Sequence, residues 1–372
     1  MPPPKSSAPS TPRTDATISA LPRAQVPRLH EAPALALSLA LSLGLTGCPK
    51  GGDAETPPPG TAEAASTAAP ASTGEPVSAA SSVDFHAVSK QALSGVTLPA
   101  AAVVMSVRDR KLLGLAEVNG GDATRTALRP GSTMKPLLAY SAIMAGVPVG
   151  PFTCEEKYRG MHCFARHGEL ELEKAIAVSC NTYFFDLAHT MGHERVTAGL
   201  RSFGLGAPTG LSEGESSGNL PAFKGDEQGL DQQSMAMAAG HGMLRVTLVQ
   251  LAGAYATLAT RLTEIAGKTD ERSRSLARIS AGVRDVVEKE WGTGREAAVE
   301  GLEIAGKTGT AEGGTALEPE GESAPMNRWF VAYAPASAPE IVVAVEVTGG
   351  GAKSAAPVAG EIFRSFQAAR AR

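Results

Sequence analysis

Residues 129–136 read Arg-Pro-Gly-Ser-Thr-Met-Lys-Pro, and they contain both the start of a helix and a candidate nucleophile. Residues 137–144 keep the apolar spacing of a helix, so the helix is predicted to begin close to Ser132. A proline is tolerated in the first turn of a helix but breaks one already under way, which makes Pro136 consistent with this start. Ser132 is therefore predicted at a helix N-terminus, with Lys135 on the same face and within reach of its hydroxyl.

A lysine beside a serine acts as a base only after it has lost its proton. With an ordinary pKa of about 10.4, only about one lysine in a few thousand is neutral at pH 7. Burial or a second cation lowers that pKa, and Lys307 is the candidate for the second cation. Because Ser-x-x-Lys recurs by chance, the interpretation of Ser132 and Lys135 depends on two further short motifs downstream.

The second motif is Ser179-Cys180-Asn181, which separates two stretches of helical periodicity. A hydroxyl and a carboxamide two residues apart at such a junction can face one cleft. A proton relay and a clamp for a peptide amide need this arrangement. Taken alone, the motif would more often be a helix cap.

The third motif, Lys307-Thr308-Gly309-Thr310, follows a predicted strand over residues 302–306. Glycines at this point remove side-chain bulk, so an extended peptide can lie alongside as an added strand. The lysine and the two threonine hydroxyls could then receive a terminal carboxylate.

Residues 301–308 also match the phosphate-binding pattern G-x-x-x-x-G-K-T. The context argues against a nucleotide site, because the first half is predicted as strand and the glycines that follow leave no helix N-terminus for a phosphate. The related segment Ala266-Gly267-Lys268-Thr269-Asp270 lacks the second glycine and is interpreted as a polar loop.

Together these motifs resemble the transpeptidase domain of penicillin-binding proteins. The resemblance runs from about residue 98 to 370 and extends to the segments 167–168, 203–206, 209–211, 255–256 and 305–312. It implies an α+β fold of the β-lactamase/transpeptidase type, a five-stranded antiparallel sheet flanked by helices with an inserted all-helical lobe. The active site of the family lies between the sheet and that lobe.

The resemblance also implies roles for individual residues. Ser132 would attack the D-Ala-D-Ala carbonyl of a peptidoglycan stem peptide, and Lys135 would take its proton. Ser179 would relay a proton to the departing D-Ala, while Asn181 holds the substrate amide. Lys307, Thr308 and Thr310, with Gly309 between them, would bind the terminal carboxylate of the substrate or of a β-lactam inhibitor. The backbone amides of the nucleophile and of the last threonine would form the oxyanion hole. No cofactor or metal is implied.

Two positions depart from the family pattern, and several functions remain open. Gly240-His241-Gly242 stands where Gly-Gln-Gly is frequent, and Asn327 stands where a histidine is common. Either change could alter substrate preference, slow acylation or have no effect. A D,D-carboxypeptidase shares the chemistry, and a serine β-lactamase would need a positioned water activator. A β-lactam sensor or silent peptidoglycan-binding module is the alternative from another class.

Composition and strand patterns support an α+β domain. The 34 basic and 38 acidic residues give a net charge of −4, with no basic stripe for nucleic acid. Two hairpins are predicted, from residues 101–107 with 112–118 and from 329–333 with 341–347, and a helix is predicted over 356–369. Strands near both ends with helices between them indicate a sheet closed by the two ends of the domain.

The N-terminal region is typical of an export signal. Residues 32–47 are an apolar run preceded by basic residues, too short for a convincing membrane span. The run ends in Leu45-Thr46-Gly47-Cys48, which resembles a bacterial lipobox, so residues 1–47 are predicted as a lipoprotein signal peptide and Cys48 as the lipidated residue. A buried core helix or an uncleaved anchor is the alternative. The mature protein is expected in the cell envelope, facing the periplasm and anchored to a membrane, with the outer membrane favoured over the inner.

Residues 48–95 are predicted to be a disordered tether, and residues 96–372 the transpeptidase domain. The tether is rich in Ala, Pro, Ser and Thr, and such a stretch buries too little apolar surface to offset its ordering entropy. Its length would let an anchored catalyst reach substrate near the membrane. Protein partners are not indicated by the sequence.

Cysteines and histidines cluster between the first two motifs. Cys154, His162, Cys163 and His167 suggest a metal site, but their spacing fits no standard zinc pattern. Export favours a disulfide between Cys154 and Cys163 instead, with free thiols and a metal site left as alternatives. Cys180 is interpreted as a small buried apolar residue.

Overall fold

The structure, a computed structural model, describes residues 79–222, 225–312, 325–349 and 355–372. The described strands are β1 (Ala100–Ser106), β2 (Leu112–Val118), β3 (Phe152–Cys154), β4 (Lys157–Tyr158), β5 (Met161–His162), β6 (Gly168–Leu170), β7 (Ala305–Glu312), β8 (Met326–Ala334) and β9 (Ile341–Thr348). The described α-helices are α1 (Phe85–Ala92), α2 (Lys135–Met144), α3 (Leu172–Ala177), α4 (Asn181–Met191), α5 (His193–Arg201), α6 (Glu227–Ala238), α7 (Leu248–Glu264), α8 (Glu271–Glu288) and α9 (Ala355–Arg370). Short 3₁₀ helices cover Ala79–Ser82, Gly131–Met134 and Arg295–Ala297.

Five strands form the main sheet, in the order β2-β1-β9-β8-β7, and all neighbours are antiparallel. The central strand β9 has the sequence Ile-Val-Val-Ala-Val-Glu-Val-Thr, and all its residues except the last are buried. Burial of consecutive residues means that both faces of the sheet are covered. Both predicted hairpins are confirmed, and the pairing of β1 with β9 confirms that the sheet is closed by segments from the two ends of the domain.

Helices cover the sheet and form a separate lobe. Helix α7 packs on β1, β8 and β9. Helix α9 confirms the predicted C-terminal helix and packs on β8 and β9. Helices α2, α4, α5 and α6 pack on one another, and α3 packs on α8. Helix α7 begins with a capping box: the Thr247 hydroxyl accepts from the backbone amide of Gln250, and the Gln250 side chain accepts from the backbone amide of Thr247. This box fixes the point where the chain returns to the sheet. No helix of the described residues is long and apolar enough to cross a membrane.

Helix α1 corrects the predicted extent of the tether. Residues 85–92 were expected to be disordered, but Phe85 is 1% exposed and its ring lies 6.4 Å from that of Phe366 in α9. The Asp84 carboxylate accepts a hydrogen bond from the amide of Ala87 and caps the helix. A few well-spaced apolar residues thus outweigh a polar average composition. Cys48, the signal peptide and the tether before residue 79 lie outside the described residues.

Strand β7 corrects a second prediction. The strand begins at Ala305 rather than at residue 302, so the motif Lys307-Thr308-Gly309-Thr310 lies inside it. A Cβ atom added at Gly306 would lie 2.4 Å from the Cβ of Ala332 on β8, so only glycine permits this close pairing. Low strand propensity of glycine and lysine concealed the strand.

Candidate active site

Ser132 lies in a 3₁₀ turn, Gly131–Met134, that runs directly into α2. The amide of Lys135 donates to the carbonyl of Ser132, so the helix does begin at the predicted place. Gly131 has a φ of +57°, and a Cβ atom there would lie 2.5 Å from the carbonyl oxygen of Thr310. Because this glycine has no side chain, the turn that carries the half-buried Ser132 can lie against β7.

Two further contacts hold this turn in place. The Tyr255 hydroxyl on α7 is fully buried and donates to the carbonyl of Thr133 at 2.8 Å. The amide of Gly131 donates to the carbonyl of Gly240 at 3.0 Å, and a Cβ atom at Gly240 would lie 1.9 Å from the carbonyl oxygen of Gly131. The turn that carries Ser132 is therefore fixed from both α7 and the loop at residue 240, which is the kind of pre-organisation a catalytic group needs.

Lys135 is fully buried and points at the second motif. Its Nζ lies 2.6 Å from the carbonyl oxygen of Ser179, 3.2 Å from the Ser179 hydroxyl and 2.6 Å from Oδ1 of Asn181. Burial lowers the pKa of Lys135 to about 7, and the thiols of Cys180 and Cys163 oppose that shift. The amine is therefore close to half neutral at neutral pH, as a general base requires.

Lys307 approaches the same serine from β7. Its Nζ lies 3.0 Å from the Ser179 hydroxyl and 3.1 Å from the carbonyl oxygen of Thr308. Burial, followed by the charge of Lys135, lowers its pKa well below the ordinary lysine value. Of the two causes predicted for a lowered pKa of Lys135, burial is the main one, and the charge of Lys135 lowers the pKa of Lys307. The Ser179 hydroxyl thus lies between two buried amines.

The second motif forms the predicted junction between two helices. Ser179 follows α3 with a φ of +61°, a left-handed conformation that costs a residue with a side chain about 1–2 kcal/mol. Asn181 is the first residue of α4, and its amide nitrogen Nδ2 donates to the carbonyl of His162 at 3.3 Å. The strain turns the hydroxyl and the carboxamide towards the same lysine.

Strand β7 presents its second edge without a strand partner among the described residues. The side chain of Thr310 accepts a hydrogen bond from Arg328 at 2.8 Å, and the hydroxyls of Thr308 and Thr293 lie 2.7 Å apart. Residues 255–256 belong to the family resemblance, but no supporting role was predicted for Tyr255, Thr293 or Arg328. They touch the motifs only through contacts between distant segments, which no local pattern reveals.

Residues 100–367 match the family model described as the penicillin binding protein transpeptidase domain. The chain belongs to this family. It is 29% identical over 304 residues to the peptidoglycan D,D-transpeptidase MrdA of Haemophilus influenzae, which covers 68% of the chain and 46% of that relative. It is also 29% identical over 254 residues to the peptidoglycan D,D-transpeptidase PbpA of Mycolicibacterium smegmatis, which covers 60% of the chain and 50% of that relative. The chain thus spans about half the length of these curated relatives.

A solved transpeptidase domain supports the fold assignment. The apo transpeptidase domain of penicillin-binding protein 3 from Burkholderia pseudomallei superimposes with a TM-score of 0.63 at 24% identity, covering 77% of this chain and 93% of that one. The predicted α+β class with a five-stranded antiparallel sheet is confirmed for this transpeptidase domain.

The two residues that depart from the family pattern are both near the site. Burial, with smaller contributions from the charges of Lys135 and Arg129, lowers the pKa of His241 to about 4, so its imidazole is neutral at pH 7. Asn327 on β8 is fully buried, and neither end of its amide has a hydrogen-bond partner among the described residues. His241 thus places a neutral ring near Lys135, and Asn327 places an amide without a described hydrogen-bond partner inside the sheet.

The cysteines of this transpeptidase domain differ from the prediction. The expected disulfide between Cys154 and Cys163 is absent, since both are free thiols, as is Cys180. Both thiols of the predicted pair approach Nδ1 of His167 instead, at 3.5 and 3.6 Å, and the Cys163 sulfur lies 4.0 Å from that of Cys180. The donor atoms of these four residues all lie within 4.8 Å of one another. His162, named from the sequence, is outside this cluster.

The thiol cluster has a donor set that suits zinc. Three sulfurs and one imidazole nitrogen match a tetrahedral Cys₃His site. The side-chain hydrogen bond between Cys163 and Cys180 lowers the pKa of Cys163, and so does the bond that the amide of Asn181 donates to it at 3.1 Å; a lower pKa favours the thiolate that metals bind. Any ion held here would lie directly beside the start of α4 and would restrain Asn181.

We expect Zn²⁺ to raise the melting temperature of the chain by about 5–10 °C over a chelator-treated sample, because binding to the folded state stabilises it. Cys163→Ser should lose most of this gain, whereas His162→Ala, outside the cluster, should keep it. Thermal melts with EDTA and with added zinc measure the difference. Equal melting temperatures in both conditions would contradict the assignment.

Proposed function

We propose that this chain is a peptidoglycan D,D-transpeptidase that forms an acyl-enzyme on Ser132 and is inhibited by penicillins. The observation that carries the proposal is the fully buried Lys135, with its pKa near 7 and its Nζ 3.2 Å from the Ser179 hydroxyl. The names of the curated relatives, which are peptidoglycan D,D-transpeptidases, support the same reaction.

In the acylation step, neutral Lys135 takes the proton of Ser132 as its oxygen attacks the D-Ala-D-Ala carbonyl of a stem peptide. The backbone amides of Ser132 and Thr310 stabilise the oxyanion, and the close approach of the nucleophile's turn to Thr310 supports this pairing. Ser179 donates a proton to the departing D-Ala nitrogen, and the two amines beside its hydroxyl can replace that proton.

The substrate lies along the open edge of β7 as an added strand. The Asn181 carboxamide holds the substrate amide. Lys307 and the hydroxyls of Thr308 and Thr310 receive the terminal carboxylate, and Gly309 keeps the strand surface clear. The Arg328 guanidinium, which donates to the Thr310 hydroxyl, adds positive charge at that end.

An amine on a second stem peptide then attacks the ester carbonyl. The Ser132 oxygen leaves and regains a proton, and a peptide bond joins the two stems. A water molecule in place of the amine would make the chain a D,D-carboxypeptidase.

We further propose that the domain works in the cell envelope, anchored by a lipid on Cys48 and a tether that ends before α1. Buried residues of α1, such as Phe85, support a tether that stops short of residue 85. Labelling of Cys48 with a radioactive fatty acid in cells, lost in Cys48→Ala, tests the anchor.

The proposed reaction predicts a long-lived adduct between the protein and fluorescent penicillin. Residues 215–219 have the Glu-x-x-x-Asn spacing of a water activator, but the Glu215 carboxylate accepts hydrogen bonds from the backbone amides at residues 209–212 of its own loop. Adduct decay is followed by gel over hours. Decay within seconds would favour a serine β-lactamase, and no adduct at all would favour a silent peptidoglycan-binding module. Release of free D-Ala from a stem peptide without formation of a cross-link would favour the carboxypeptidase.

A further inference from the structure

An exposed tryptophan has a lysine ammonium over its ring, and neither residue is used by the proposed chemistry. Trp291 follows α8 and is 41% exposed, and the Nζ of Lys174 on α3 lies 3.0 Å from the centre of its ring. The ammonium makes no hydrogen bond within the described residues. Asp285 interacts with it electrostatically, and burial raises the pKa of that carboxyl. An indole and an ammonium with free donors are therefore available at this surface.

The pair is joined to the catalytic residues on both sides. Thr293 follows Trp291 by two residues, and its hydroxyl lies 2.7 Å from that of Thr308 on β7. Two residues of extended chain span about 7 Å, so Trp291 lies at most that far along the chain from a residue that contacts β7. On the other side, α3 carries Lys174 and ends just before Ser179. Both connections lead from the pair to the Ser179 and Thr308 side of the site.

The loop that carries the tryptophan is held closely by its surroundings. A Cβ atom at Gly292 would lie 2.3 Å from the carbonyl oxygen of Asp285, and one at Gly294 would lie 2.8 Å from the ring of Phe330. The amide of Gly294 also donates to the carbonyl of Val286 at 2.8 Å. A loop fixed in this way presents the indole at a set position, which reduces the ordering entropy that binding would cost.

The direction of the reaction identifies what should bind there. Acylation expels an amine, and transfer admits one, so the second step is the reverse of the first at the carbonyl carbon. By microscopic reversibility the incoming amine enters where D-Ala left, on the side of Ser179, Lys307 and Thr308. The part of the acceptor beyond its amine must then extend over neighbouring surface, and a peptide gains about 3.3 Å per residue.

On the basis of the transpeptidase function proposed above, we propose that Lys174 and Trp291 form the subsite for the acceptor stem peptide. The Lys174 ammonium binds a carboxylate of the acceptor, and the exposed face of Trp291 packs on its aliphatic chain. The acceptor amine attacks the ester carbonyl, the bond from that carbon to the Ser132 oxygen breaks, and the proton released by the amine returns to the serine through Ser179. Binding here favours transfer over hydrolysis.

Lys174→Gln and Trp291→Ala should each lower the ratio of transfer to hydrolysis about tenfold. The donor is a D-Ala-D-Ala peptide, and the acceptor probe is an acidic tetrapeptide with a free side-chain amine. Three matched measurements isolate the subsite: D-alanine as a small acceptor, the tetrapeptide with its carboxylates amidated, and the rate of acylation by fluorescent penicillin. We expect transfer to D-alanine and the acylation rate to stay within twofold of the unchanged protein. Transfer to the amidated tetrapeptide should be weaker than to the acidic one, and Lys174→Gln should not lower it further.

Control variants separate the subsite from general damage. Lys289→Gln removes a nearby exposed charge and should leave the ratio of transfer to hydrolysis unchanged. Lys174→Arg keeps the positive charge and should retain most of the ratio that Lys174→Gln loses. An unchanged ratio in both test variants, with normal acylation, would overturn the subsite and leave the transpeptidase proposal standing. Equal losses with D-alanine and the tetrapeptide would also overturn it. If the unchanged protein is acylated but only hydrolyses its donor, both proposals are overturned. If it is never acylated, the proposed function is contradicted at its first step, and the subsite proposal that rests on it is overturned as well.

Discussion

Ser132→Ala is expected to abolish the covalent adduct with fluorescent penicillin, a loss of about 10⁴-fold or more in acylation rate, because no other hydroxyl replaces the attacking oxygen. The other serine of the site, Ser179, is held between Lys135 and Lys307 at 3.2 and 3.0 Å, and its own left-handed backbone fixes its position. Adduct formation is measured by gel fluorescence over hours at saturating label.

A matched serine on the same helix serves as the control. Ser141 lies in α2 with its hydroxyl bonded to the carbonyl of Leu137, and it takes no part in the proposed chemistry. Ser141→Ala should label at the rate of the unchanged protein. Labelling that persists in Ser132→Ala, with a circular dichroism spectrum that shows a folded domain, would remove this serine as the nucleophile.

The second large effect concerns the base. Lys135→Met should lower the acylation rate about 10²–10⁴-fold, the usual contribution of a general base. In the unchanged protein the rate should rise with pH through about 7 and level off above it, because the neutral amine is the active form and its pKa is about 7. Rapid-mixing measurements of acylation between pH 5 and 9 give this profile, and Lys135→Met should have no such rise.

Glu346 also has a pKa near 7, so its titration must be separated from that of the base. Burial raises the pKa of Glu346 on β9 to about 7, and the hydroxyl of Thr348 donates a hydrogen bond to its carboxylate. Glu346→Gln should keep the rise through pH 7 if Lys135 is its source. Loss of the rise in Glu346→Gln, or a rate that is flat or falls across pH 7 in the unchanged protein, would contradict the assignment of the base.

The parts of the site that the sequence predicted are those contained in short segments. The helix start at Ser132, the junction that holds Ser179 and Asn181, and both hairpins depend on local periodicity and on glycine or proline at fixed offsets. The resemblance to a family then predicted that Lys307 approaches the same cleft, a contact over 128 residues that local patterns alone would not reveal.

The parts that were missed depend on packing between distant segments. Cys180 was interpreted as a buried apolar residue, yet its thiol joins two others and His167, because β3 to β6 bring residues 152–170 beside the start of α4. Burial and a neighbouring cation were both predicted as causes of the lowered pKa of Lys135, but the sequence could not decide between them. Complete burial is the main cause, and it depends on every element around the side chain. Burial of that kind is a property of the assembled domain.

The pairing of β1 with β9 also affects how the domain forms. These strands lie near opposite ends of the domain's sequence, so their ladder has a high contact order and its closure carries a large loop-entropy cost. Until the last strand has been synthesised, the first hairpin exposes an apolar edge that can pair with other chains. A frameshift or stop codon before residue 341 should therefore give an aggregating product rather than a smaller working enzyme, and holdase chaperones should be needed while synthesis is incomplete.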